Sequence, residues 1–280
     1  MSIGCSRCSR SRTACICRRD EGYGNGALAH KRDRHGVAAD AVARGPECGV
    51  ESVANSAAPP LVCHYACCSG HLMQRHPELL LFDLGGVLVE FSGFRDLRPL
   101  LRVPMSESEI RQQWIACPVV RAFEVGHLTP QQFAERFIAT WNMAVPPLDF
   151  LQAFRVWTRG FLPGARELLA TLRRRYRLAC LSNSNAVHWE RNAQDLQLFT
   201  HFEAALSSHL LGCHKPDPVI YQRALAALRV GPDAVLFFDD VAANVEAAQA
   251  VGIRAFQVAG ITELHACLSA QGLLHDPAGT

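Results

Sequence analysis

The chain has 280 residues, enough for one large domain with an insertion or for two domains. Apolar residues make up 49%, charged residues 19%, and the formal net charge is +2, so most of the chain can build a core and its overall charge marks neither a nucleic-acid nor a membrane-surface binder. No run approaches the roughly 18 apolar residues of a membrane span, and the basic start is not followed by the apolar stretch of a secretory leader.

Residues 1–72 are rich in Gly, Ser, Ala, Arg and Cys and hold no persistent apolar period, so they are expected to form a disordered extension. Cys5-x-x-Cys8 with Cys15-x-Cys17 offers thiolates to a zinc ion, but a second pair spaced by one residue is atypical and nothing periodic follows. Met73 stands just before the first buried segment and marks an alternative start. The later cysteines, Cys117, Cys180, Cys213 and Cys267, are scattered without motif spacing, as reduced thiols of a cytoplasmic protein would be.

Leu79–Phe82 is a continuous apolar run that predicts a strand buried on both faces, ending at Asp83 with Gly85 and Gly86 behind it. Residues 92–160 carry helical patterns. Ser106-Glu-Ser-Glu opens one helix, Thr129-Pro130 caps another, and Phe150, Phe154 and Trp157 mark a third after Pro146-Pro147. The block shows no strand signal and reads as a helical cap inserted between two parts of a core.

From residue 161 the pattern alternates. A helix over Pro163–Leu172 precedes a strand over Tyr176–Leu181 that ends at Ser182, and a short strand covers Phe202–Ser207. Asp217-Pro218 opens a helix, Ala234–Phe238 is a buried strand running into Asp239-Asp240, Asn244–Val251 is a helix and Arg254–Val258 a last strand. Such alternation predicts an α/β fold with a doubly wound parallel sheet. The expected organisation is a core of 73–91 and 161–280 with a cap at 92–160, and the tail beyond about 262 forms one more helix before fraying at Pro277.

In a parallel sheet the strand C-termini share one edge, which brings Asp83, Ser182-Asn183 and Asp239-Asp240 together. Lys215 joins them from the loop before the Asp217 helix. The chain holds only two lysines, Lys31 and Lys215, against many arginines, so a retained lysine in Gly-Cys-His-Lys-Pro-Asp-Pro marks a place for a compact point charge. Carboxylates, a lysine and a hydroxyl together suit a phosphate held through Mg²⁺, a hard cation that takes oxygen ligands. A carboxylate can also attack phosphorus.

Four segments carry a resemblance. Phe82-Asp-Leu-Gly-Gly-Val-Leu, Leu181-Ser-Asn-Ser-Asn, His214-Lys-Pro-Asp-Pro-Val-Ile-Tyr and Phe237-Phe-Asp-Asp-Val-Ala-Ala-Asn resemble the four motifs of the haloacid dehalogenase (HAD) superfamily, in order, between about 79 and 260. In style they are nearest to phosphatases of the α-D-glucose-1-phosphate phosphatase type. The resemblance implies a Rossmann-like core with a helical cap and a Mg²⁺-dependent phosphatase acting on a small phosphorylated metabolite. It implies Asp83 as nucleophile and metal ligand, and Ser182 and the backbone at Asn183 as phosphoryl holders. Lys215 would bridge nucleophile and phosphate, and Asp240 and Asp239 would be metal ligands, joined by the carbonyl of Gly85.

One position departs from the family pattern. Most phosphatases of the superfamily carry a second Asp two residues after the nucleophile, and Gly85 stands there. The missing carboxylate is a general acid/base group, worth on the order of 10²–10⁴-fold in rate where it operates. Two compensations are expected: a substrate with a good leaving group, such as an anomeric sugar phosphate, or help from His188 or Glu90. A metal-independent haloacid dehalogenase and a non-catalytic HAD domain are the competing readings. Paired acids at 239 and 240 oppose the first, and retention of the whole charged set opposes the second.

Overall fold

The computed structural model describes residues 76–274. The Cys5–Cys17 cluster, the proposed start at Met73 and the fraying at Pro277 lie outside those residues.

Strand β1 (Leu79–Phe82) leads, with all four side chains buried. Its residues alternate between two cores: Leu80 and Phe82 enter one cluster, Leu79 and Leu81 the other. This explains the unbroken apolar run, because a central strand with helices on both faces has no polar side. A short ribbon strand β2 (Val89–Phe91) follows, then helices α1 (Gly93–Leu97), α2 (Glu107–Ala116), α3 (Pro118–Glu124), α4 (Pro130–Thr140) and α5 (Pro147–Arg155). Strand β3 (Thr158–Phe161) returns antiparallel to β2.

The chain then alternates through α6 (Ala165–Leu172), β4 (Arg177–Ser182), α7 (Ala186–Gln194), β5 (Ala204–Ser207) and the single turn α8 (Ser208–Leu211). It finishes with α9 (Pro218–Leu228), β6 (Val235–Asp239), α10 (Ala242–Ala250), β7 (Arg254–Gln257) and α11 (Gly260–Ala270). The main sheet has the order β5-β4-β1-β6-β7, and every neighbouring pair is parallel. This is the doubly wound α/β sheet expected from the alternation, flanked by helices. Among the described residues no helix is long and apolar enough to cross a membrane.

Helix starts follow local chemistry. Ser106 and Glu109 form a reciprocal capping box at α2, and Thr129 and Gln132 form another at α4, which also has Pro130 in its first turn. Each such cap contributes about 1 kcal/mol. The helices between β2 and β3 bury their own aromatic core of Phe123, Phe133, Phe137, Phe150, Phe154 and Trp157. Phe123 and Phe133 stack with centroids 4.2 Å apart, and Phe154 meets Trp157 edge-on at 4.8 Å.

The β2–β3 ribbon does not follow from the sequence pattern. Its strands have three and four residues, and Gly160 sits at φ +127°, so no alternation is long enough to read. The ribbon connects the helical block to the core at both of its chain crossings, and β3 runs across the expected boundary at 160/161.

Candidate active site

The C-terminal edge of the sheet gathers the predicted residues. Asp83 follows β1 directly, and its backbone N–H donates to the Phe238 carbonyl at 2.8 Å, which ties the end of β1 to β6. Asp83 is 7% exposed, Lys215 2% and Asp239 0%. Charged groups so far from water persist only when paired.

Lys215 supplies that pairing. Its Nζ donates to Asp83 Oδ1 at 2.7 Å, to Asp239 Oδ2 at 2.6 Å and to the Leu181 carbonyl at 2.9 Å. All three ammonium donors are therefore used. A guanidinium fork would not reach three acceptors converging on one point, which accounts for a lysine in an arginine-rich chain. Lys215 is itself held by Asn183, whose side-chain oxygen accepts the Lys215 N–H at 2.8 Å and whose amide donates to the Lys215 carbonyl at 2.9 Å. The Lys215–Pro216 bond is cis.

Asp239 is oriented on its other side. Oδ1 accepts from the Val241 N–H and from Asn244 Nδ2, both at 2.9 Å. Gly86, at φ +78°, packs against the Asp240 carboxylate; a Cβ there would stand 2.6 Å from Asp240 Oδ2, so only glycine serves. Gly85 differs, since a Cβ at that position would meet nothing within 4 Å. The loop of Ser182 and Asn183 is braced by α8: Ser208 Oγ accepts from the Ser184 N–H at 3.0 Å and donates to the Ser184 carbonyl at 2.9 Å. Ser182 is buried, and its side chain makes no hydrogen bond with any described residue, which leaves its hydroxyl available.

The electrostatics follow from burial and charge count. Burial pushes the Asp83 carboxyl up to about 7; Lys215 pulls it down while Asp239 and Asp240 push it further up. Burial alone would lower the Lys215 ammonium, but Asp83 and Asp239 outweigh it and hold its pKa above the ordinary lysine value. Asp240 is raised by burial and by Asp239, while Lys215 and Arg111 of α2 act to lower it. One lysine thus faces three carboxylates.

Oxygen atoms of Asp83, Asp239 and Asp240 lie within 4.8 Å of one another. Hard oxygen donors with excess negative charge at that spacing fit a divalent cation such as Mg²⁺. Soft or imidazole ligands are absent from this cluster, so the donor set does not favour zinc or copper.

Two candidate residues, Glu90 and His188, bond to partners other than this charged cluster. Glu90 lies on β2, exposed, with Arg95 at 3.7 Å. His188 is buried in the aromatic core, where its Nε2 donates to the Phe154 carbonyl at 2.8 Å and its Nδ1 meets Asn185 Nδ2 at 3.1 Å. Both imidazole nitrogens are committed, so His188 is not a proton donor to a leaving group. Sequence reasoning missed the support of the site by Ser208, Asn244 and the side chain of Asn183. Only Asn183 and Asn244 stood within recognised motifs.

Comparison with known proteins agrees with this geometry. A family model for haloacid dehalogenase-like hydrolases matches residues 77–252. The chain is 31% identical to a protein of Mycobacterium tuberculosis named phosphatase MT3486 over 187 residues, 64% of this chain and 86% of that one. It is 22% identical to a D-ribitol-5-phosphate phosphatase of Bacteroides thetaiotaomicron, over 64% of this chain and 90% of the relative. The fold matches the crystal structure of a HAD family enzyme of B. thetaiotaomicron in complex with magnesium and inorganic phosphate. The TM-score is 0.56 at 23% identity, covering 65% of this chain and 93% of the other.

Proposed function

The chain belongs to the haloacid dehalogenase-like hydrolases, and on that premise we propose that it is a Mg²⁺-dependent phosphatase of a small phosphorylated metabolite, with a sugar phosphate such as glucose 1-phosphate favoured. The observation that carries the reading is Lys215 bridging Asp83 and Asp239 while Asp240 completes an acidic triad.

Asp83 is the nucleophile. Lys215 holds one of its carboxylate oxygens and keeps the group oriented in a buried site. An oxygen of Asp83 attacks phosphorus, the bond to the ester oxygen breaks, and the leaving oxygen takes a proton from solvent; water then attacks the phosphorus of the aspartyl phosphate, the bond to the Asp83 oxygen breaks, and inorganic phosphate leaves with the carboxylate restored. Ser182 and the backbone at Asn183 hold the phosphoryl oxygens, and Lys215 offsets their charge. Asp83, Asp239 and Asp240, with the Gly85 carbonyl, would hold Mg²⁺. When bound, Mg²⁺ neutralises the excess charge of the carboxylates and orients the phosphoryl group.

Gly85 supplies no side-chain acid, and neither His188 nor Glu90 stands in for it, so the leaving group has to carry much of that burden. This favours an anomeric phosphate over a simple alkyl ester. A haloacid dehalogenase has no use for the acidic triad. A non-catalytic domain would leave unexplained a buried charged cluster whose Asp83–Lys215–Asp239 chain is bonded throughout. The free thiols Cys117, Cys180, Cys213 and Cys267 fit a reducing, cytoplasmic setting.

The reading is tested by a phosphate-release screen of the full chain with Mg²⁺ over sugar phosphates, nucleotides and acyl phosphates. Phosphate release that requires Mg²⁺ supports it. Release of halide from 2-haloacids, with no phosphate from any ester, overturns it.

A further inference from the structure

Asn185 is the last residue of the Ser-Asn-Ser-Asn motif, and the mechanism gives it no role. It is the N-cap of α7, where its Oδ1 accepts the His188 N–H at 3.1 Å. The same side chain presents Nδ2 to His188 Nδ1 at 3.1 Å. An amide nitrogen only donates, so His188 Nδ1 accepts and the imidazole proton sits on Nε2. That proton goes to the Phe154 carbonyl at 2.8 Å. Phe154 belongs to the last turn of α5, and its carbonyl also accepts from the Trp157 N–H.

The imidazole is 5% exposed and stacks on Phe154 with centroids 4.1 Å apart, while Phe91 meets it edge-on at 5.8 Å. An apolar ring would fill this space. A buried imidazole bonded at both nitrogens adds direction, which packing alone does not need. Burial pushes its pKa down to about 4, so it stays neutral in this tautomer through the physiological range.

The contact does not stand alone on α7. Arg191 Nε donates to the Thr158 carbonyl at 2.9 Å, and Arg191 and Arg155 both pair with Asp195. Helix α7 therefore grips the end of α5 and the return strand β3. Its first residues continue directly from the loop of Ser182 and Asn183.

We propose that Asn185 and His188 are positioning residues that lock the helical block of residues 92–160 at one angle over the phosphoryl-binding loop. The proposal rests on the phosphatase reading for its kinetic consequence, though not for the lock itself. On the phosphatase reading the core holds the phosphoryl group, and the helical block reaches the same edge, since Arg111 of α2 acts on the Asp240 carboxyl, so a larger leaving group extends toward it. Loss of the lock therefore harms substrates whose leaving group reaches the block and spares those too small to reach it.

The test uses the full chain with Mg²⁺, as wild type, His188→Phe and His188→Gln. Phenylalanine keeps the stacking and removes both hydrogen bonds; glutamine restores a donor. With glucose 1-phosphate, His188→Phe is expected to lose kcat on the order of 10-fold or more, because small misplacements of reacting groups cost that much. With acetyl phosphate the loss stays under about 3-fold by the same argument, and His188→Gln recovers most of it. An equal loss on both substrates, or an unchanged kcat with a lowered melting temperature, overturns the proposal.

Hydrogen exchange provides a readout that needs no turnover. His188→Phe is expected to speed exchange selectively in residues 147–161, leaving β1, β4 and β6 unchanged. Uniform or unaltered exchange overturns the lock. Selective exchange in a protein that releases phosphate from no substrate overturns the phosphatase reading and leaves the lock standing.

Discussion

The side chain of Asn183 and the backbone of Lys215 hold each other reciprocally, N–H to oxygen at 2.8 Å and amide to carbonyl at 2.9 Å, across 32 positions of sequence. The clamp fixes where the Lys215 side chain leaves the backbone, and so where its ammonium meets Asp83 and Asp239. Replacing Asn183 by Ala is expected to lower kcat on the order of 10–100-fold, as displacement of a charge-stabilising group does. KM should move little, since the lysine itself remains. Steady-state kinetics check this; a variant within twofold of wild type would remove the clamp from the account.

Lys215→Met leaves Asp83 and Asp239 without their shared cation. Breaking a buried pair by removing one partner costs about 3–5 kcal/mol, which in a domain of this size lowers the melting temperature by roughly 10 °C. Because the lost charge is positive, added Mg²⁺ should recover more stability in the variant than in wild type. Thermal melts with and without the metal check this. Equal Mg²⁺ shifts in the two proteins would mean that the cation does not bind at the triad.

Gly85 and Gly86 should respond in opposite ways. A Cβ at Gly85 meets nothing within 4 Å, so Gly85→Asp is accommodated and supplies a carboxylate next to the nucleophile. The variant should turn over glucose 6-phosphate on the order of 10²-fold faster than wild type or more, the range of a general acid being about 10²–10⁴-fold. It should also narrow the preference for glucose 1-phosphate. Gly86→Ala brings Cβ to 2.6 Å from Asp240 Oδ2 at a left-handed backbone, and activity should fall. If wild type already handles the two glucose phosphates at equal rates, the leaving-group explanation is wrong.

Glu124, at the end of α3, is half-buried, and its carboxyl is packed about by protein. Burial pushes its pKa from 4.5 up to about 7, partly offset by a hydrogen bond from the Trp114 side chain. A carboxyl whose folded pKa is raised binds more protons folded than unfolded, so its ionisation destabilises the fold as pH rises from about 4.5 to 7. Glu124→Gln should therefore melt higher than wild type at pH 8, and the difference should close as pH falls below about 4, under both pKa values. A difference independent of pH would contradict the assignment.

Much of the candidate site was legible because its elements are local. The continuous apolar runs at Leu79–Phe82 and Val235–Phe238 have no polar face, and each ends in a carboxylate, so strand and site residue are read from the same few positions. The bonds among those residues were not legible. Asn183 with Lys215 and Ser184 with Ser208 meet only once the sheet has formed, and Asp239 with Asn244 only once the turn after β6 has brought α10 back. Histidine at 188 carries no local sign of burial, and its i+3 relation to the N-cap Asn185 becomes meaningful only with Phe154 beside it. The β2–β3 ribbon escaped because strands of three and four residues give no measurable period.

Asp83 as the attacking group is the claim on which the rest depends. Full-length protein is mixed with Mg²⁺ and acetyl phosphate, quenched in acid within the first turnover and digested for mass spectrometry, in parallel with Asp83→Asn. The account predicts the mass of one phosphoryl group on the peptide containing Asp83, and a variant that releases no phosphate above the uncatalysed rate. A variant that keeps wild-type turnover, or a phosphoryl group carried on another residue, contradicts it.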